Sequence, residues 1–284
     1  MTASSPAGVP AASDVSTDAA SDVSTAARLA AVLREIARGG LAATLAGGLV
    51  GGLGGRLLMR VAALLNPDAT GRLTENGEVV GAITLNGTLA LIVFGGLLGG
   101  MAAGIVWVVV SPWLPGRGRT RWLLAAGVTL ALGGSFLVRS NNTDFVVLEP
   151  DPLLVTLLLG LVALIGAATA WFDERLERGL RQPGPNPWPS IGAYGLLVAL
   201  GALALPIVLE AYFSFELSPN PPAWVGRAIA VVGGLTVLAW VLRLVAGTRP
   251  PPALATAGRI ALVVAVVAGL AHIGPEVARI VGKG

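Results

Sequence analysis

Seven apolar stretches recur along the chain, each near the roughly 20 residues that a helix needs to cross a hydrocarbon core about 30 Å thick. They cover residues 41–65, 83–110, 122–138, 152–172, 190–212, 224–245 and 254–273. The second is longer than an upright helix requires, so it should tilt or begin only near Thr88. Ahead of them, Leu29, Val32, Leu33 and Ile36 fall on one helical face and Arg34, Glu35 and Arg38 on the other, after the possible caps Ser24 and Thr25. That pattern predicts an amphipathic helix over 28–40 lying on the membrane surface. Residues 1–27 are mostly Ser, Thr, Asp and Ala with a repeated Ala-Ser-Asp-Val-Ser-Thr and almost nothing to bury, which predicts a disordered tail. The tail has neither the basic start nor the apolar stretch of a signal peptide. The expected organisation is a tail (1–27), an interfacial helix (28–40) and a seven-helix membrane domain (41–284).

Two of the spans carry ladders of glycine. The first has Gly47, Gly48, Gly51, Gly52, Gly54 and Gly55; the second has Gly95, Gly96, Gly99, Gly100 and Gly104. Glycines four apart leave a helix face without side chains, so two helices can approach to backbone contact. Counted from the opposite ends of antiparallel helices, the two ladders lie at nearly the same depth, which predicts a close hairpin of the first two spans. The glycine face also weakens the apolar drive of span one, which must accommodate Arg56 and Arg60 as well, so this span needs the bundle or outward reach of its arginines to be stable.

Composition fixes the compartment. The chain is 54% hydrophobic and 12% charged, against roughly a quarter charged in soluble domains. It holds no cysteine, which excludes disulfides, thiolate nucleophiles and thiolate metal sites. Its basic balance does not point to nucleic acid, because the arginines lie in short loops between apolar spans, the positive-inside pattern. With the tail inside, Arg28, Arg34, Arg38, Arg117, Arg119, Arg121, Arg175, Arg178, Arg181, Arg243, Arg249 and Arg259 face the cytoplasm, while only Arg72, Arg139, Arg227, Arg279 and Lys283 lie outside. Trp113, Trp122, Trp171 and Trp188 at inner boundaries and Trp224 at an outer one fit an aromatic belt. The fold expected is an all-α integral membrane bundle of seven helices, amino end in and carboxyl end out.

Ionisable residues inside spans usually face a bundle interior or cavity and are functional candidates. Arg56 and Arg60, one helical turn apart, continue the row Thr44, Gly48, Gly52 and share the packed face. Possible partners at the same outer level are Glu210 at the end of span five, Arg139 and Asp144 after span three, Arg227 at the start of span six, and His272, the single histidine, at the end of span seven. A pair between Arg56 or Arg60 and Glu210 is preferred, because a buried guanidinium favours a carboxylate it can grip with two hydrogen bonds. Residues 66–81 carry Asn76-Gly77 between apolar neighbours, which suggests a small hairpin. Residues 173–181 read as a solvated extension of helix four, with Glu174/Arg178 and Glu177/Arg181 at i,i+4, followed by a stiff proline-rich connector. No metal-ligand spacing, phosphate loop or Gly-x-Ser-x-Gly elbow is present, so neither a cofactor nor a metal is expected; Ser135 with His272 is a weak hydrolase signal, since a membrane serine usually bonds its own backbone.

The strings Gly55-Arg56-Leu57-Leu58-Met59-Arg60, Asn66-Pro67-Asp68-Ala69, Gly81-Ala82-Ile83-Thr84-Leu85, Trp113-Leu114-Pro115 and Asn142-Thr143-Asp144-Phe145 together resemble a group of uncharacterised multi-pass membrane proteins of actinobacteria and related bacteria. The resemblance covers roughly residues 45–175. It departs at Thr143, where the group has proline. It implies a bacterial cell-membrane location and no activity. Two functions remain open from the sequence. One is transport or sensing of a small (anionic) solute at an outward-facing polar site. The other is a structural or accessory subunit whose glycine faces and outer loops bind a membrane protein partner or a second copy of the chain. An enzyme ranks third.

Overall fold

The computed structural model describes residues 24–69, 71, 84–140, 152–213, 222–248 and 250–282. Seven helices in it are long and apolar enough to cross a membrane: α1 Thr25–Leu65, α2 Gly87–Trp113, α3 Arg119–Leu137, α4 Pro152–Gly179, α5 Trp188–Phe213, α6 Ala223–Ala246 and α7 Pro252–Val281. No strand occurs among the described residues. The protein is an all-α bundle of the multi-pass membrane type. Successive helices alternate in direction, so the bundle has a tail end, where α1 begins, and a far end, where α1 finishes. Of the tail expected over 1–27, residues 1–23 lie outside the described residues and residues 25–27 are helical, not disordered; the hairpin near Asn76-Gly77 and Asp144 also lie outside the described residues.

Six helices fall where the apolar spans predict, within several residues at each end. Helix α2 starts near Thr84, whose hydroxyl accepts from the Gly87 N–H at 3.0 Å and caps the first turn. The exception is α1. The surface helix expected over 28–40 is not separate; it runs straight into the first span as one rod of 41 residues, with Ser24 Oγ accepting from Ala27 N at 3.3 Å as its cap. At about 1.5 Å per residue this rod is about 60 Å long, twice a hydrocarbon core. Its first half is inside the bundle because Ala30, Arg34 and Ala37 make a second stripe, small except at the arginine, that α4, α5 and α2 close upon.

Helices α1 and α2 form the centre, with α4, α5 and α6 packed around α1, and α3 joined to α4 and α7. Each central helix widens into π-helical turns, at Gly47–Gly52 and at Leu91–Leu98, and these two segments face each other. Here the backbones nearly touch. A Cβ on Gly47 would collide with the Gly96 carbonyl and Gly100 Cα, one on Gly96 would stand 3.1 Å from Gly48 Cα, one on Gly100 2.9 Å from the Ala43 carbonyl, and one on Gly104 3.1 Å from Gly40 Cα. Gly52 approaches Ile92 Cα in the same way, at 3.2 Å. A Cβ on Gly48 would meet nothing within 4 Å, one on Gly51 would face the Ile165 side chain, those on Gly55 and Gly95 the Leu91 side chain, and one on Gly99 only the Phe94 carbonyl of its own helix.

Helix α5 is also interrupted. It is regular to Ala202, tightens through Leu203 and Ala204, and resumes over Leu205–Phe213. Pro206 explains the break, since it offers no N–H to the Ala202 carbonyl. At the tail end, Trp113 locks α2 to α6 and α7: its indole N–H donates to Thr236 Oγ1 at 2.8 Å, that hydroxyl donates to the Val109 carbonyl at 2.7 Å, and its ring lies where a Cβ on Gly258 would be.

Candidate functional site

Two chemically distinct features meet inside the bundle: a buried charge lock at the tail end and a hollow beyond it. The lock centres on Asp173, whose side chain is 3% exposed. It accepts from Arg38 Nε on α1 at 2.8 Å and from Arg121 on α3 at 3.1 Å. The neighbouring Glu174 accepts from the Gly118 N–H at 2.8 Å and from Trp122 Nε1 at 3.1 Å, so it fastens the loop before α3. That loop needs glycine at 118, where φ is +56. Arg34 inserts beneath the end of α4 and donates to the carbonyls of Glu177 at 2.7 Å, Leu180 at 3.0 Å and Arg181 at 3.3 Å. Glu177 is in the last turn of α4 and Leu180 and Arg181 follow directly on it, where carbonyls lack the backbone donors of a continuing helix and the helix end carries partial negative charge. Tyr194 on α5 donates to the Arg181 carbonyl at 2.6 Å as well. Four helices are thereby tied at one level.

This replaces the solvated helix end expected over 173–181. The i,i+4 pairs are not made; Glu174 and Glu177 turn to other helices, Glu177 to Arg38 at 3.3 Å. Asp173 was the residue missed. A signal existed: it is the first carboxylate after the apolar span 152–172, at the depth where Arg38 and Arg121 also stand, and a carboxylate held at that depth must be compensated.

Above the lock, the Arg121 guanidinium lies 5.8 Å from the ring centre of the buried Trp107. Trp107 is the floor of a small cavity of about 80 Å³ bounded by Val110, Val128, Leu132 and Thr169. This cavity shares Ala103, Val106, Thr129, Gly133, Ile165 and Tyr212 with a larger one of about 220 Å³. The larger cavity reaches Phe136 and Leu137, in the last turn of α3 at the far end. Its wall includes Gly47, Gly51, Gly95, Gly99 and Gly100, so much of this side is bare backbone along the π-helical turns and just beyond them. The opposite wall is the short second segment of α5, from Ile207 to Tyr212. Polar groups are few and mostly engaged: Tyr212 donates to the Leu132 carbonyl at 2.9 Å and Thr169 to Ile165 at 2.8 Å.

The sequence-predicted site residues gather only in part. Arg56 is half-buried and donates to the Thr84 carbonyl at 3.5 Å, and Arg60 is exposed one turn further on. Among the described residues neither forms an ion pair with Glu210, because the end of α5 packs on α2 and α6 while the end of α1 packs on α2 and α4. Arg227 stacks on Trp224 of its own helix at 4.7 Å. Arg139 stacks on Phe136 at 4.8 Å and approaches His272, and the two belong to one far-end cluster with Ser140, Glu276 and Arg279. The cluster centres on Glu276, which is 6% exposed, accepts from the Ser140 N–H at 2.7 Å and pairs with Arg279 at 2.5 Å. Glu276 carried a readable signal too, one helical turn beyond His272 and three residues before Arg279. Ser135 donates to the Leu132 carbonyl at 2.7 Å, as a membrane serine does, and shows no hydrolase geometry. Among the described residues no three His, Asp or Glu side chains converge as metal ligands. The chain matches no protein-family model, no curated protein sequence and no solved structure.

Proposed function

We propose that this chain sits in the cytoplasmic membrane of a bacterium, tail end inside and carboxyl end outside, and that it binds a small solute with an apolar body inside the bundle, to carry it or to report its presence. The orientation rests on the arginine excess of the tail-end loops. The binding reading rests on one observation above others: two cavities that share a wall run from the last turn of α3 down to Trp107, where the Asp173 lock closes the bundle. Membrane interiors are otherwise packed, and concave apolar space with a few polar groups is the usual form of a ligand site. π-Helical turns and broken membrane helices are frequent at such sites, and three of these irregular segments border this region. An acidic group on the solute would stay near the far boundary with Arg56 and Arg60, since the cavity wall offers no cation. Passage through the membrane would require α1, α3 and α4 to part at Asp173; sensing would not. A purely structural subunit would have no use for the unfilled interior, and the glycines that a partner would have used at 47, 52, 96, 100 and 104 are occupied within the chain.

The test is thermal unfolding of the purified chain against a broad library of small apolar and amphipathic solutes, with Gly133→Phe as control. Gly133 lines both cavities, and a Cβ there meets only side-chain atoms at 3.6 and 3.8 Å, so the substitution begins in the cavity wall without a backbone clash. A ligand at about 100 times its Kd stabilises by about 2.7 kcal/mol. A solute that raises the midpoint of the natural chain and not of Gly133→Phe supports the reading; a library without effect, or equal effects on both, removes it.

A further inference from the structure

A second hollow, separate from the interior cavity, lies on the outer side of the two central helices. It is a groove of about 450 Å³ whose floor is α1 and α2, with Gly40, Thr44 and Met101, and whose walls are α5, with Leu197 and Gly201, and α6, with Trp240. All six of these residues are partly exposed, and Leu200 and Leu205 on the same wall are 47% and 44% exposed, so the groove opens sideways at the depth of the apolar spans. Its lining on α1 runs from Ile36 to Thr44, about 12 Å along the axis, most of the depth of one leaflet, which is half of a core about 30 Å thick. The wall is built from the interruption in α5, and Cβ atoms added to Gly40 or Gly201 would meet nothing within 4 Å. Here the missing side chains leave volume toward the lipid.

The tail-ward end of the groove is charged. Arg243 stands three residues beyond Trp240 on the same face of α6 and donates to Glu35, the neighbour of Ile36, at 2.6 Å, so this pair spans α1 and α6 across the groove's end. Arg28 lies over Gly247 and donates to the Leu244 carbonyl at 3.4 Å. Two guanidinium groups against one carboxylate leave a positive mouth at headgroup depth above an apolar slot. We propose that the groove holds one acyl chain of an anionic phospholipid from the surrounding bilayer, with its phosphate at the Arg28 and Arg243 end. The chain supplies the hydrocarbon that fills the slot, and the phosphate supplies the counter-charge that Glu35 provides only for one arginine. This site does not depend on a solute in the interior cavity.

Native mass spectrometry of the full detergent-purified chain, titrated with equal amounts of phosphatidylglycerol and phosphatidylcholine, tests it. The natural chain should retain one phosphatidylglycerol with a preference of about fivefold for each arginine engaged. Gly201→Phe, whose Cβ would meet nothing within 4 Å and whose ring would occupy the slot, should lose that lipid while the protein still folds. Arg243→Gln should still bind lipid but lose most of the preference; Arg28→Gln serves in its place if Arg243→Gln does not fold. Gly133→Phe, which fills only the interior cavity, should retain the lipid. Equal retention of the two lipids by the natural chain, or phosphatidylglycerol held by Gly201→Phe as tightly as by the natural chain, would overturn the proposal.

Discussion

Replacing Asp173 by Asn isolates the charge lock, because the side-chain shape is kept and only the charge is removed. In the natural chain the carboxylate receives one hydrogen bond from Arg38 at 2.8 Å and one from Arg121 at 3.1 Å, with almost no solvent contact. Breaking a buried ion pair by removing one partner costs about 3–5 kcal/mol, since the remaining charge is left uncompensated. Arg38 has a fallback in Glu177 at 3.3 Å, but that carboxylate is 61% exposed and recovers little. Arg121 retains only its position over Trp107. Asn can still accept one hydrogen bond, which places the expected loss near the lower end, about 3 kcal/mol, or about 5 °C in Tm for a bundle of this size. Thermal unfolding in mild detergent, followed by tryptophan fluorescence, measures it. Adding Arg121→Gln to Asp173→Asn should restore more than half of the loss, because it removes the stranded cation. A single variant that melts within about 1 °C of the natural chain, or a double variant worse than the single, would show that the carboxylate does not hold the three helices together.

Three further outcomes follow from the packing. Gly100→Ala should destabilise by about 1–3 kcal/mol, since its methyl would stand 2.9 Å from the Ala43 carbonyl and force the central helices apart, whereas Gly48→Ala, with nothing within 4 Å, should be neutral or stabilising by about 0.5 kcal/mol; the pair of Tm values decides. Thr236→Val should cost about 1–3 kcal/mol by stranding the Trp113 indole N–H in the core, read as a lower Tm and an altered tryptophan emission. Glu276→Gln should cost about 1 kcal/mol, chiefly through the weakened acceptor for Ser140, which salt does not screen, and only the smaller part owed to the half-exposed Arg279 should shrink as salt is raised.

Helix number and span positions were legible because membrane crossing demands length and apolarity, and both are written in one dimension. The close approach of the first two spans was legible in part: glycine spacing predicts a bare face, and Gly47, Gly96, Gly100 and Gly104 stand at the contact, but spacing gives no sign that the helices widen into π-helical turns there. That widening turns half of the ladder, Gly51, Gly95 and Gly99 among them, from a packing surface into the wall of a cavity. The inward course of α1 was hidden because Leu29, Val32, Leu33 and Ile36 make a convincing surface helix, and only the three-dimensional arrangement reveals that Arg34 and Arg38 have carbonyls and a carboxylate waiting on α4. Ion pairs between helices distant in sequence, such as Arg38 with Asp173, leave no local periodicity. The polar residues that stand out in the sequence, Arg56, Arg60 and Glu210, lie at the far end, while the densest network forms at the other.

The proposed solute site is an interior cavity reached from the far end and closed by Asp173 at the tail end. The natural chain has no cysteine, so Ala103→Cys places a single thiol on the wall that the two cavities share. In vesicles of known orientation, a small membrane-impermeant thiol reagent should label this residue when added at the far side and leave it untouched when added at the tail side. Labelling from the tail side, or none from either side while a cysteine at Phe213 reacts normally, would contradict it.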